Sequence, residues 1–573
     1  MQKLLEKVEK VPIAYIITFF FVLTFLVYGI SLSNGFVWDD EEQVLNNSVI
    51  KNVSNIPYLF TSSTFNTGGA GLSGWYYKPL MPISFSLVFS LFGPGAFGFH
   101  LFDISLHFLN SIFIFLLLGR FFNLQKIRYS RILSFFLSTI FLVHPANTES
   151  VAYISSTQEL LYVFFLLAAL YLISGKEEKI SAKRIVFISF TILLSLLSKE
   201  SGVISIPLVI LFTFLFKKKY TILVTISSIL TFIFYLILRF PIAKTPLLQH
   251  SKIIPIANAS LIDRLKTIPF EAFSYLRLFF FPKDLFVAQH WVITETSDPR
   301  FYLSLPFFLF VILFMVFVLI RFRSKLSVFF IAWISFSFFL LLNLYPLDMT
   351  LAERWFYGPM IGVLGLVGVL IGNLKQKKLV LFLLIFILLI PIFSIRTFER
   401  TLDWKNNLTL FSSDEKFSSN SFDLQNNLGV ALFREGKQSE AEKHFKKSIS
   451  LSPNWWTAVN NLGVIYQRKG EIEKAKKMYA LSIERGDYYL AYENLAQLKY
   501  NTEKAENTIS FLEVALKKLP NNEILNKLLA VSYFQTGNLE SAKIYAEKTF
   551  FINNSQENYL FLQEINKNLN NEN

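Results

Sequence analysis

Cysteine is missing from all 573 residues, so disulfides and thiolate chemistry are excluded in any compartment. Acidic residues are in deficit, with 41 Asp and Glu against 55 Lys and Arg and a formal charge of +14. That surplus does not call for nucleic acid, because membrane proteins concentrate Lys and Arg in cytoplasmic loops. Polar stretches are rare before about residue 395, and hydrophobic residues make up 53% of the whole chain, with 64 Phe. One soluble globule is therefore excluded. The first apolar run, 11–31, follows Lys3, Lys7 and Lys10, is long for a signal-peptide core and lacks a small-x-small cleavage site, so it reads as an uncleaved span.

Apolar runs of about 20 residues are membrane-span candidates. They fall at 12–32, 97–118, 131–147, 151–174, 184–199, 201–216, 220–241, 301–321, 325–345, 355–373 and 378–395, which predicts eleven spans. Two interrupted stretches, 79–92 and 266–281, read as interfacial or re-entrant. With a cytoplasmic N-terminus, the basic clusters at 120–131, 176–184, 217–219, 321–325 and 375–378 all land on one side, as the positive-inside rule requires. The opposite side then receives "FVWDDEEQ" (36–43), "HPANTES" (144–150), "SKESG" (198–202), the long segment 242–300, "LDMTLAERWFYGP" (347–359) and everything after 395. Unusual polar residues gather at one membrane face, which is the pattern of a site.

Asp39 and Asp40 begin an acidic run, Asp39–Glu42, just after the first span. A solvated loop is the plain alternative, but adjacent carboxylates raise one another's pKa, which suits a group that accepts a proton and later releases it. There is no Asp-x-Asp spacing here; the sequence indicates no cofactor, and a divalent metal stays open. His144, Glu149, Gln158 and Glu159 form a second cluster around a His-Pro break. If 149–160 were one helix, Glu149 and Glu159 would lie nearer one face and Gln158 away from it. Lys199 and Glu200 read alone as an ion pair in a tight turn. Arg354, beside Glu353 and aromatic rings, presents a planar donor fork suited to a lipid phosphate, against the alternative of a snorkelling anchor.

The stretches "FVWDDEEQVLNN", "YYKPLMPISFSL" (76–87), "GFHLFDISLHFLN" (98–110), "HPANTESVAYISSTQELL" (144–161), "SKESG" and "LAERWFYGPMIGV" occur in that order, ahead of a repeat tail. Together they resemble the transmembrane and tetratricopeptide-repeat O-mannosyltransferase family of the GT-C glycosyltransferase superfamily. Lys, Asn, Ile and Phe usage suits a bacterial member. The resemblance implies a polyprenyl-phosphate-linked sugar donor, used on the outer face with inversion at the anomeric carbon. It places the acceptor-side base on Asp39 or Asp40 and donor-phosphate binding on Arg354 with Lys199. His144, Glu149, Glu159, Glu200 and Glu353 would line the pocket. "RLFFFPKDLFVAQHW" (277–291) is similar to a family loop.

The tail has a period of 34: "NNLGVALFREGK" at Asn426 returns as "NNLGVIYQRKGE" at Asn460. Gly429 aligns with Gly463, Gly436 with Gly470, Ala441 with Ala475 and Phe445 with Tyr479. This is the tetratricopeptide period of paired helices, and about four repeats suffice to stack a continuous core.

The expected fold is all-α: a GT-C-like membrane module at 1–395, with a first outer loop 33–96 and an outer segment 242–300. A connector follows at 396–423, where Trp404 is placed to dock on the membrane domain or the lipid interface, and then a repeat solenoid at 424–573. The expected activity is inverting sugar transfer to a protein hydroxyl on the extracytoplasmic side of a multi-pass, bacterial inner-membrane protein. The repeats would recruit the acceptor. The alternatives are the same chemistry on a lipid or cell-envelope glycan, or a non-catalytic repeat scaffold. A transporter fits less well, because transport sites gather polar residues near the bilayer midplane. Expected partners are the lipid-linked sugar, an acceptor protein or glycan and the bilayer, with no nucleic acid.

Overall fold

The computed structural model of the chain describes residues 9–64, 76–175, 177, 179–246, 254–287, 289–486 and 488–572. Lys3, Lys7 and Lys176, assigned above to the basic face, lie outside the described residues, as do 65–75 and 247–253 of the two long outer segments. Among the described residues every regular element is helical, apart from one isolated antiparallel bridge between Gln289 and Leu351. Two compact units divide between Ser419 and Asn420.

The first unit is a helical bundle of a multi-pass membrane protein. Seven helices among the described residues are long and apolar enough to cross a membrane: Ile13–Ser33, Ala96–Leu124, Ile154–Ile173, Lys218–Ile242, Pro299–Phe322, Glu353–Gly372 and Gln376–Asp403. Leu80–Phe92, Ser130–Val143, Glu200–Phe216 and Lys325–Leu341 are shorter apolar helices. The expected eleven spans are therefore not matched by length and composition alone, because local breaks shorten several runs. His144-Pro145 ends one helix, and a short helix, Thr148–Ala152, and the turn Ile154–Ser156 precede Thr157–Ile173.

Burial sorts the long helices. Glu353–Gly372 is 83% buried over its apolar window and lies centrally, whereas Pro299–Phe322 is 11% buried and turns nearly all its surface outward. The central position needs small residues, because without a hydrophobic drive in lipid, close backbone approach supplies the packing energy. At Gly365 a Cβ would overlap the Phe330 ring.

The basic loops come together at one end of this bundle. The Arg131 backbone N–H donates to Glu9 Oε1 (2.9 Å), Ser324 Oγ donates to Gln125 Oε1 (2.5 Å), and Arg120 lines one cavity with Lys217, Lys218 and Lys219. At the other end sit Asp40, Glu149, Lys199 and Arg354. Most of the stretch expected to be a connector, 396–419, is part of this unit: Trp404 is fully buried, and Arg400 pairs with Asp414 (2.6 Å) in the following helix, Asn407–Ser418.

Among its described residues the second unit has four helix pairs, from Phe422–Arg434 with Gln438–Leu451 to Glu523–Gln535 with Leu539–Ile552, and a final helix, Gln556–Glu572. The residues aligned by period are those that touch. A Cβ at Gly429 or Gly463 would stand 2.6 Å from Phe445 or Tyr479, their own aligned partners, and Ala441, Ala475 and Ala542 are fully buried. An asparagine ladder links successive repeats, Asn461 Nδ2 to Asn426 Oδ1 and Asn494 Nδ2 to Asn460 Oδ1, each 3.0 Å.

Candidate functional site

The two adjacent aspartates sit in different environments because the chain reverses at Trp38, whose φ is +54°. A left-handed conformation is rare and strained for a bulky residue and persists only where surroundings enforce it. Here the Trp38 ring stacks on Tyr153 (5.3 Å), and its N–H donates to Asn407 Oδ1 (2.8 Å). The following turn drives Asp40 inward to full burial. Its Oδ1 accepts from the Ser155 N–H and Oγ, each at 2.7 Å, and its Oδ2 accepts from the Val37 N–H at 3.1 Å. Burial pushes its carboxyl up to about 7, against these hydrogen bonds and with a small addition from Asp39. Asp39 stays half-buried and accepts a hydrogen bond from the Tyr153 hydroxyl.

Beside them opens a cavity of about 480 Å³. Its polar wall carries Lys78, Lys199, Arg239, Arg354, Glu200 and Asp348, and its apolar wall includes Phe232, Leu236, Phe339 and Leu340. Each cation is fastened by a carboxylate. Arg354 pairs with the fully buried Glu149, which also accepts from the Arg354 N–H at 2.8 Å. Its guanidinium carbon lies 5.6, 5.9 and 5.8 Å from the rings of Trp38, Tyr153 and Trp355, within cation–π range. Lys199 pairs with Glu159, and Glu200 takes Arg239 at 3.2 Å and Lys78 at 4.0 Å. Lys199 and Glu200 thus pair with different partners, and the expected turn ion pair is corrected. Burial lowers the Lys78 pKa, with Glu200 opposing the shift.

The loop segments are pinned behind this wall. Asn343 donates to Glu271 Oε1 (2.8 Å) and accepts from the Leu347 N–H (2.9 Å), which shapes the loop carrying Asp348. Glu353 accepts from the Phe286 N–H (2.6 Å), and Asp414 accepts from the Val287 N–H (2.8 Å). Phe286 and Val287 therefore hold these two carboxylates through their backbone N–H groups.

The structure brings Asp39, Arg354, Lys199, Glu149, Glu159 and Glu200 into one neighbourhood. Of these only Arg354, Lys199 and Glu200 line the cavity wall; Asp39, Glu149 and Glu159 do not, and neither do Asp40, His144 and Glu353. His144 is fully buried, with Nε2 2.9 Å from the Phe279 carbonyl oxygen, Nδ1 accepting from the Ala146 N–H (3.2 Å) and its ring stacked on Phe279. Glu353 faces the loop at Phe286. Both positions are corrections to a pocket-lining role. Glu149 and Glu159 reach the cavity only as the partners of Arg354 and Lys199, so of the five residues expected to line the pocket Glu200 alone does so. The helix assumed for 149–160 is broken at Tyr153, and Gln158, set aside on that assumption, lines the cavity. Lys78, Arg239, Asp348 and Tyr153 were not singled out. Arg239 could have been found as a lone cation inside an apolar run, and Lys78 as the charge in "YYKPLMP". Among the described residues no three His, Cys, Asp or Glu side chains gather as a metal site.

Two stretches, 422–455 and 457–485, match family models described as tetratricopeptide repeat. The chain is 26% identical over 449 residues to a protein O-mannosyl-transferase of Caenorhabditis elegans, covering 76% of this chain and 62% of that protein. Protein O-mannosyl-transferase TMTC3 of Homo sapiens is 25% identical over 467 residues, covering 74% of this chain and 50% of its own length. Among solved structures, MamA 41-end from Desulfovibrio magneticus RS-1 aligns with 26% of this chain and 85% of its own at 15% identity and a TM-score of 0.24. The chain spans 62% and 50% of the length of the two named O-mannosyl-transferases. Over about three quarters of its length, this chain resembles the transmembrane and tetratricopeptide-repeat O-mannosyltransferases.

Proposed function

We propose that the chain is an inverting glycosyltransferase that moves a sugar from a polyprenyl-phosphate donor to an acceptor hydroxyl at the extracytoplasmic membrane face. The observation that carries this reading is the cavity that sets Arg354, Lys199, Lys78 and Arg239 against an apolar wall of helix residues. Such a cavity matches a phosphate joined to a long hydrocarbon. Asp39, beside Trp38 and Tyr153, is the base. It takes the proton of the acceptor hydroxyl as that oxygen bonds to C1 of the sugar. The bond between C1 and the phosphate oxygen breaks, and its electron pair leaves on the phosphate, against Arg354 and Lys199. Because cations meet the leaving charge, proton donation to the leaving group is unnecessary. Asp40 holds the loop that presents Asp39.

A protein Ser or Thr is the acceptor favoured by the likeness to protein O-mannosyl-transferases, and the repeats offer a concave surface for an extended peptide. The membrane module is taken as 1–395 together with the buried connector as far as Ser419, and the repeat domain as the unit from Asn420, with the basic loops cytoplasmic. The test is transfer from labelled polyprenyl-phosphate sugars in membranes expressing wild type, Asp39→Asn or Arg354→Ala, with protein and lipid fractions counted separately. Collapse in both variants at equal expression supports the reading, and the labelled fraction names the acceptor. Undiminished transfer in both refutes the site.

A further inference from the structure

A second cavity, of about 500 Å³, lies at the other end of the bundle, among the basic loops. From Gln158, in the first cavity, to Ser174, in the second, helix Thr157–Ile173 and its C-cap carry the chain about 24 Å at 1.5 Å per residue. The second cavity is framed by the closing turns of helices Ala96–Leu124, Thr157–Ile173 and Ser205–Phe216. Its floor is apolar, with Leu124, Phe212 and Phe216, and the two phenylalanine rings lie 5.0 Å apart. Its rim holds Arg120, Lys217, Lys218 and Lys219, and among the described residues one lining carboxylate, Glu177, which is already paired with Arg184 at 2.9 Å. Lys325 adds a cation 5.5 Å from the Phe216 ring.

Part of this charge serves the fold. Arg120 donates to the Tyr171 carbonyl (2.9 Å) and stacks on its ring, and Lys217 donates to the carbonyls of Gly175 and Glu177 (2.8 and 2.9 Å). The Arg120 bond satisfies a helix-end carbonyl, and the Lys217 bonds hold two carbonyls just beyond the C-cap at Ser174. Lys218 and Lys219 are exposed, and among the described residues neither side chain has a carboxylate or carbonyl partner. An apolar floor beneath cations that lack a carboxylate partner, at a bundle end, fits an anion that carries hydrocarbon. Basic pockets between spanning helices recognise acidic lipid headgroups on this principle.

We propose that this cavity binds the phosphodiester headgroup of an acidic phospholipid, with the start of one acyl chain against Phe212, Phe216 and Leu124. The shared chemistry, a phosphate anion, would also admit free phosphate, and the apolar floor favours the lipid. The site is independent of sugar transfer.

The experiment is native mass spectrometry of the full chain, titrated with phosphatidylglycerol, phosphatidylcholine or inorganic phosphate. Three proteins are compared: wild type, Lys218→Gln/Lys219→Gln, and Lys377→Gln/Lys378→Gln. The last pair belongs to the basic loops but does not line the cavity. Wild type retains phosphatidylglycerol over phosphatidylcholine, and the cavity variant loses roughly thirtyfold in affinity, at roughly fivefold per surface cation. The control pair keeps wild-type affinity. Equal loss in both variants, or loss in neither, overturns the site. If inorganic phosphate displaces the lipid at equal concentration, the occupant is free phosphate and the lipid assignment fails. Filling the floor with Leu124→Trp is a second check, and undiminished lipid retention there also overturns the proposal.

Discussion

Replacing Asp39 and Asp40 singly by Asn separates a base from a strap. Asp40 accepts three hydrogen bonds in full burial. An asparagine can turn its oxygen to Ser155 and keep two of them, but its amide nitrogen then faces the Val37 N–H, donor against donor. A buried N–H left without an acceptor costs about 1–3 kcal/mol, so Asp40→Asn lowers thermal stability in detergent by that order while transfer per folded molecule stays within a few-fold. Asp39 is half-buried, and its replacement leaves stability near wild type. On the proposed mechanism it removes the group that takes the proton, a loss of about 10²–10⁴-fold in rate. A pH arm checks the same geometry. Because burial holds the Asp40 carboxyl up at about 7, the folded state binds its proton more tightly than the unfolded state does. Its contribution to stability therefore declines as pH climbs from the ordinary carboxylate range to about 7, and Asp40→Asn abolishes that component. Differential scanning fluorimetry across pH and initial rates on the same preparations give both readouts. If Asp40→Asn abolishes transfer at unchanged stability while Asp39→Asn spares it, the roles are exchanged and the reading of the Trp38 turn is wrong.

Glu149→Ala leaves the Arg354 guanidinium buried without its carboxylate, a loss of about 3–5 kcal/mol for a broken buried pair; calorimetry should show it, and a stability within 1 kcal/mol or so of wild type would refute the pairing. Gly463→Ala drives a methyl against Tyr479 and should destabilise the repeats by about 1–3 kcal/mol, seen as faster proteolysis of the tail, with transfer to a short peptide acceptor unchanged. Glu200→Gln frees Arg239 and Lys78, so donor KM should fall while kcat falls through tighter retention of the phosphate product, and a rise in both would count against the cavity as donor site.

The repeat tail was readable because its helices pack on sequence neighbours. Once Gly429 aligns with Gly463 and Phe445 with Tyr479, the period already names the contacts that form. The gathering of Asp39, Glu149, Lys199 and Arg354 was readable from sidedness alone, since a helix that ends at a membrane face delivers its end residues there. Partner choice was not readable. Lys199 and Glu200 are adjacent, yet in extended backbone their side chains diverge, and each takes a partner about 40 residues away, Glu159 or Arg239. His144 and Glu353 share the polar signature of the site but face backbone on the far side of its wall. Periodicity does not give the rotation that decides this. The break at Tyr153 mattered most, because a continuous helix over 149–160 would have pointed Gln158 away from the cavity it lines.

The cavity's charge arrangement bears on how the proposed chemistry gains rate. Lys199 with Glu159, Arg354 with Glu149, and Arg239 and Lys78 with Glu200 form a nearly balanced set. Four bare cations in so apolar a setting would be costly, and their carboxylates hold them in place without filling the cavity. A sugar linked through a phosphodiester carries one negative charge. Once the bond to C1 breaks, the phosphate is a monoester and carries two. A balanced cluster attracts the monoanionic donor only moderately, and its fixed N–H donors meet the second charge as it develops. Stabilisation that grows along the reaction raises the rate, whereas equal stabilisation of ground and transition states does not. On this reading Glu149, Glu159 and Glu200 hold the cations in place and also weaken the ground-state grip on the donor.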